Sequence, residues 1–164
     1  MHLKKLSVVN FKNYSEAEVE FTPRINCFVG PNGVGKTNLL DAIHYLSLCK
    51  SYFNAVDSQN IKHGNDFSVI QGGFEIEGEE ENIYCGIQKN KRKNFSRNKK
   101  EYKKLSEHIG LIPLVMISPA DSSLIIDGGE ERRKLINGVI AQYDRVYLNN
   151  IMSYNRVLSQ RNKF

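Results

Sequence analysis

The apolar positions change period along the chain, and each change marks an element. Leu3 to Phe11, LKKLSVVNF, carries strand-forming residues in partial alternation, and Ala17 to Phe21, AEVEF, alternates cleanly. NFKNYSE between them reads as a turn region. Pro23 then breaks the chain, and Ile25 to Val29, INCFV, is a short apolar run fit for a buried strand. Beyond Thr37 the period becomes helical, with Leu39, Leu40, Ile43, Leu46 and Leu48 on an amphipathic helix. Residues 51–66 hold neither period and predict an irregular surface connection. FSVIQGGFEIEG and ENIYCGIQK predict two antiparallel strands joined by the acidic turn EGEEEN, and the residues after them extend that meander. YKKLSEHIG holds a short helix, and PLVMIS, Pro113 to Ser118, is a second run fit for a buried strand. Ser118-Pro119-x-Asp121 is a helix-start signal whose helix stops at Gly128-Gly129. EERRKLINGVIAQY and DRVYLNNIMSYNRVLSQRNKF predict two further helices. In the second, Tyr147, Leu148, Ile151, Tyr154 and Leu158 recur at core-facing spacing. The helical pattern runs to Phe164 without a stop signal.

Length and composition narrow the class without choosing a function. The 164 residues suffice for one domain with a real core. No apolar run approaches the roughly 20 residues needed to span a bilayer. MHLKKLSVVNF reads as a first strand and not as a secretion signal, so a cytoplasmic protein without a membrane partner is expected. Cys27, Cys49 and Cys85 are odd in number and far apart, which predicts small buried apolar residues and neither disulfides nor a zinc site. The four histidines lack ligand spacing and read as structural.

Charge adds one local feature. The net charge is +5, but Lys89 to Lys104, KNKRKNFSRNKKEYKK, holds nine Lys or Arg against Glu101 alone. That segment carries +8, and the rest of the chain therefore sums to −3. A patch of this kind grips phosphate backbones in a salt-dependent, sequence-independent way, and Lys91, Arg92, Lys93, Arg97, Lys99 and Lys100 are its DNA-binding candidates. The plainer reading is a solvated hairpin.

The chemistry concentrates in Gly30-Pro31-Asn32-Gly33-Val34-Gly35-Lys36-Thr37, which fits the phosphate-loop pattern G-x-x-x-x-G-K-[ST] between a strand-like run and a helix. Glycines let the backbone wrap close to phosphate oxygens, and successive N–H groups form an anion nest. The helix start adds its positive dipole end. Lys36 is placed to reach the β- and γ-phosphates, and the Thr37 hydroxyl to ligate Mg²⁺ beside ATP. Asn38 is a candidate for closing the loop. The motif alone leaves kinases, GTPases and motor ATPases open.

The surrounding residues go further. LKKLSVVNFKNYSEAEVEFTPRINCFVGPNGVGKTNLLDAIHYLSL resembles the start of RecF-family DNA-repair ATPases, relatives of the SMC and Rad50 heads. LIPLVMISPADSSLIIDGGEERRKLIN and YNRVLSQRNKF resemble later blocks of that family, in the same order. The resemblance implies an α/β P-loop fold of ABC-head type, a mixed sheet around the P-loop helix. It divides the chain into residues 1–118, part of the ATP-binding lobe, and 119–164, the start of a helical lobe.

The same resemblance implies ATP, Mg²⁺ and an ATP-dependent homodimer. It implies binding to single- and double-stranded DNA at gaps, and a RecR-type recombination mediator as partner. The process would be loading of the RecA recombinase, in DNA repair, replication-fork maintenance and the SOS response. Lys12 is a candidate nucleotide contact with Asn13 beside it, while Arg132 and Arg133 are candidates for a phosphate or an acid.

Lys12 stands where the family usually has arginine and Asp41 where it usually has glutamate. The family's signature motif and aspartate-rich Walker B strand have no match here, so the chain looks like a truncated head. No residue is assigned a catalytic role, and nucleotide binding without turnover is the expectation. The missing part would supply strands beside the P-loop run. A different SMC-like ATPase, such as a defence-nuclease head, and a P-loop small-molecule kinase are the alternatives, with a non-enzymatic nucleotide- and DNA-binding fragment as the third.

Overall fold

The computed structural model describes residues 1–122, 124 and 129–163. The chain separates into two compact units, Met1–His108 and Ile109–Phe164.

The first unit is a six-stranded sheet with one helix on it. Its strands are β1 (His2–Phe11), β2 (Tyr14–Glu20), β3 (Phe67–Ile76), β4 (Glu79–Gln88), β5 (Asn94–Arg97) and β6 (Lys100–Glu101). They run in the order β2-β1-β3-β4-β5-β6, with every pairing antiparallel. The sequence places these strands well because period-two alternation and tight turns act locally. The β3–β4 connection is shorter than the acidic run suggested. Glu77 and Gly78 alone make the turn, both at positive φ, and Glu79 to Asn82 already pair within β4. The basic segment continues the meander as β5 and β6.

Alternation gives the sheet two unlike faces. Leu6, Val8, Ile70, Phe74, Ile83, Cys85, Ile87 and Phe95 are buried on one side. Against this side lies α1 (Lys36–Leu48), which buries Leu39, Ala42, Tyr45 and Leu46. Gly72 lets the helix approach: a Cβ there would stand 2.6 Å from Leu46 Cδ1. His108 closes the end of this core. Its Nε2 donates to the Leu46 carbonyl at 2.6 Å, and its Nδ1 accepts from the Tyr102 hydroxyl at 3.1 Å. Burial holds its pKa down to about 4, so it sits there as the neutral ring.

Two expected buried strands are not strands. Residues 25–29 join no sheet among the described residues, and Ile25 and Val29 are 82% and 94% exposed. Residues 113–118 likewise form no strand, with Ile117 82% exposed. An apolar run needs a neighbouring strand to complete its hydrogen bonds, and among the described residues neither run has one. Cys27 lies in the first run and is exposed, against the expectation that all three cysteines are buried. Cys49 and Cys85 are buried, and burial pushes the Cys49 thiol up to about 12.

The second unit contains α2 (Gly129–Tyr143) and α3 (Arg145–Arg161). Asp144 caps α3 by accepting from the Val146 and Tyr147 amides, at 2.8 and 2.9 Å. Asp121 accepts from the Ser118 amide at 2.5 Å, so the start signal operates, although it opens a short 3₁₀ turn, Pro119–Ser122. The expected stop at Gly128 lies outside the described residues. Of the α3 stripe, Leu148 is buried, Tyr147, Ile151 and Leu158 are half-buried and Tyr154 is exposed, while Met152 and Val157 beside the stripe are exposed. No helix among the described residues is long and apolar enough to cross a membrane.

Candidate functional site

The phosphate loop occupies residues 30–37, between the unpaired run and the first turn of α1. Gly35 is the N-cap of α1 at φ 111°, in left-handed space that disfavours a side chain. Space forbids one as well. A Cβ on Gly35 would sit 2.7 Å from Asn13 Nδ2 and 2.8 Å from the Tyr14 hydroxyl. The loop is therefore pressed against the β1–β2 turn.

Hydrogen bonds hold that contact. Asn13 Nδ2 donates to the Val34 carbonyl at 3.0 Å, and Asn38 Nδ2 donates to Asn13 Oδ1 at 2.7 Å. The Asn38 and Leu39 amides both donate to the Gly35 carbonyl, which closes the first turn of α1. Asn13 thus joins the turn, the loop and the helix. Sequence reasoning placed Asn38 as a loop-closing candidate and Asn13 near the nucleotide. It did not see that the two amides bond each other, because 25 residues separate them.

Lys36 lies across the loop and donates to the carbonyls of Gly30 at 2.7 Å and Pro31 at 2.8 Å. Its ammonium has three protons, so it can exchange carbonyl partners for phosphate oxygens without leaving the loop. Thr37 is exposed in the first turn of α1. Pro31, Asn32, Gly33 and Val34 line the open side of the loop, all exposed. A glycine-bounded loop, a helix N-terminus and a lysine over it fit a nucleotide phosphate chain. Among the described residues no group of His, Cys, Asp and Glu could hold a metal ion by itself. Thr37 is the loop hydroxyl that could ligate a Mg²⁺ carried in by the phosphates.

Lys12 is paired with a carboxylate of α1. Its Nζ lies 2.6 Å from Asp41 Oδ2, and 5.1 Å from the centre of the Phe53 ring. Asp41 is fully buried. It also accepts from the Ser51 hydroxyl at 2.7 Å and the Tyr52 amide at 2.6 Å. The two departures from the family pattern, lysine at 12 and aspartate at 41, are therefore partners in one ion pair. That joint departure was the signal available in the sequence. The pair ties the β1–β2 turn to the second turn of α1 and to residues 51–52.

The six basic candidates divide. Lys93 turns inward, bonding the Cys49 carbonyl at 2.6 Å and Asp57 at 3.0 Å beneath the Tyr45 ring. The Tyr45 hydroxyl donates to the same Asp57, and burial raises its pKa. Arg97 forms a two-pronged pair with Glu81, at 2.7 and 2.5 Å, which holds that carboxyl below the usual range. Lys91, Arg92, Lys99 and Lys100 are exposed. Arg132, in the second unit, donates to the Leu124 carbonyl at 3.0 Å.

Comparison with known proteins agrees with this geometry. The AAA ATPase domain family matches residues 1–121. The chain is similar to the DNA replication and repair protein RecF of Phocaeicola vulgatus, 56% identical over 163 residues, which are 99% of this chain and 44% of the relative. It thus spans less than half the length of the curated relatives it matches. A solved structure of the recombination mediator protein RecF with ATP, from the RecFOR pathway, superposes with a TM-score of 0.90 at 31% identity, over 98% of this chain and 43% of that one. The fold alone is shared with a solved SMC ATPase at 23% identity, TM-score 0.66, over 85% of this chain and 99% of that one. The chain belongs to the AAA ATPase domain family and, within it, to the RecF line, with the α/β architecture of a P-loop ABC-type head.

Proposed function

We propose that this chain is the nucleotide-binding part of an ATP-gated DNA repair protein. The loop amides and Lys36 hold the phosphates of ATP, Thr37 holds Mg²⁺, and Asn13 with Asn38 fixes the loop against the sheet. The observation that carries this reading is the clamped phosphate loop, in which Gly35 meets both a steric and a conformational demand. The magnesium supplies charge neutralisation when bound, and the protein's share is positioning.

In the intact protein the reading extends to an ATP-dependent homodimer of heads that binds gapped DNA. A RecR-type mediator would then join it in loading recombinase during replication-fork repair and the SOS response. The RecF names of the relatives support this, and the exposed Lys91, Arg92, Lys99 and Lys100 supply a phosphate grip. Residues 1–118 would form the sheet lobe and 119–164 begin the helical lobe. The chain by itself is expected to hold nucleotide without turning it over, because its sequence has no match to the Walker B strand whose neighbouring carboxylate activates water. Hydrolysis by this chain that disappears in Lys36→Ala would overturn that last point.

DNA retention by the intact protein, with and without Mg-ATP, tests the whole reading. Retention that depends on ATP and is lost in Lys36→Ala is expected. Retention indifferent to ATP would leave a basic patch and no gate.

A further inference from the structure

The open face of the sheet carries a feature that the phosphate loop does not use. Between β3 and the β5–β6 turn lies a groove of about 370 Å³, lined by Gln71, Asn82, Tyr84, Ser96, Asn98 and Lys99. Its floor is ordered. Gln71 Nε2 donates to Asn82 Oδ1 at 2.8 Å, and Asn98 Oδ1 accepts from the Asn82 amide at 2.8 Å. Among the described residues the Tyr84 hydroxyl and Asn82 Nδ2 bond no protein group, so both stay available to a ligand. Gly86 explains the tyrosine's position. A Cβ there would lie 2.9 Å from Tyr84 Oη and 3.2 Å from its Cε1, so the ring rests across bare backbone on the strand.

The same face is electrically graded. At one edge β2 presents Glu16, Glu18 and Glu20, paired across from Val9, Ser7 and Lys5. Lys5 on that side is neutralised by Glu18 at 2.7 Å. At the other edge Lys99, exposed and in no ion pair among the described residues, lines the groove, with Glu101 across from Ser96 beside it, while Lys100 pairs across from Arg97 on the opposite face. A polyanion is repelled from the β2 half and meets the groove's lining cation, Lys99, at the β5–β6 turn.

We infer that this groove is a subsite for single-stranded DNA. A base stacks on Tyr84, its polar edge meets the Asn82 and Gln71 amides and Ser96, and Lys99 takes a flanking phosphate. A flat aromatic beside amides and a cation suits an unpaired strand, whose bases are exposed, better than a duplex, whose bases are stacked away. The inference rests on the DNA-binding reading above and adds where, and to which form of DNA.

The test is fluorescence polarisation of the intact protein with a fluorescein-labelled oligo-dT and an equally long duplex, at several salt concentrations. Tyr84→Ala with Asn82→Ala should weaken oligo-dT binding about tenfold, leaving the duplex affinity and the salt slope unchanged. Tyr84→Leu, which keeps an apolar cover over Gly86, should do the same, and Tyr84→Phe should bind as the parent does. Lys99→Gln should lower the oligo-dT salt slope by about 0.7, one phosphate's share. Oligo-dT binding by folded Tyr84→Leu that equals the parent's would overturn the groove and leave DNA binding standing. No binding of either probe by the parent would overturn both.

Discussion

β3 and the run Ile25 to Val29 are comparably apolar, yet one is the centre of a sheet and the other lies open. β3 pairs on both sides, with β1 and β4, and its Ile70 and Phe74 are buried. The run at 25–29 is held by the Asn26 side chain, which bonds the Thr22 backbone amide and carbonyl, and by Phe28 set edge-on to Phe21, with no strand beside it among the described residues. The same contrast separates α1, whose Tyr45 and Leu46 are buried, from α3, which buries Leu148 and leaves Met152, Tyr154 and Val157 exposed. An apolar pattern states what a segment needs, and a partner must exist to meet the need. For β3 and α1 the partners lie within the first 108 residues.

The largest effect that would test this contrast is at Lys12. Lys12→Met leaves Asp41 as a buried carboxylate without its cation, and urea unfolding should show a loss of about 4 kcal/mol. Lys12→Arg should restore most of it. Unchanged stability together with lost ATP affinity would instead make Lys12 a nucleotide contact.

Next comes core truncation. Leu46→Ala should cost about 3 kcal/mol, whereas Val157→Ala on the exposed side of α3 should stay within about 0.5. Equal costs in urea unfolding would mean that the helical unit is as closed as the sheet unit.

His108 gives a pH signature of the closed core. Its folded-state pKa, about 4, lies below the ordinary 6.5, so the unfolded chain takes up a proton first as pH falls. Stability is therefore full above about 6.5 and is lost between 6.5 and 4, by up to about 3 kcal/mol. Unfolding followed from pH 7 to 4 should show this slope. His108→Gln should remove it, and persistence of the slope would place its origin elsewhere.

The smallest effect is at the open run. Val29→Thr in this chain should change stability by less than about 0.5 kcal/mol, since the side chain is already in water. In the intact protein the proposed strands beside the P-loop would bury it, and the same substitution should then cost about 1–2 kcal/mol. A neutral result in both contexts would argue that residues 25–29 never enter a sheet.

Much of this molecule was written in local pattern. Period-two alternation located β1 to β4, and helical spacing together with the glycine loop located α1. Asp121 announced its turn, because it bonds an amide three residues away. The phosphate loop was legible for the same reason, as its function depends on eight consecutive residues. Tertiary structure alone decided the rest: Asn13 as the clamp on Val34, the Lys12–Asp41 pair, and the inward turn of Lys93 and Arg97 while their neighbours face water. Those contacts join residues 16 to 36 apart in the chain. A sequence fixes charge and alternation one residue at a time, whereas the choice between a buried ion pair and a solvent-facing cation depends on which distant carboxylate the fold delivers.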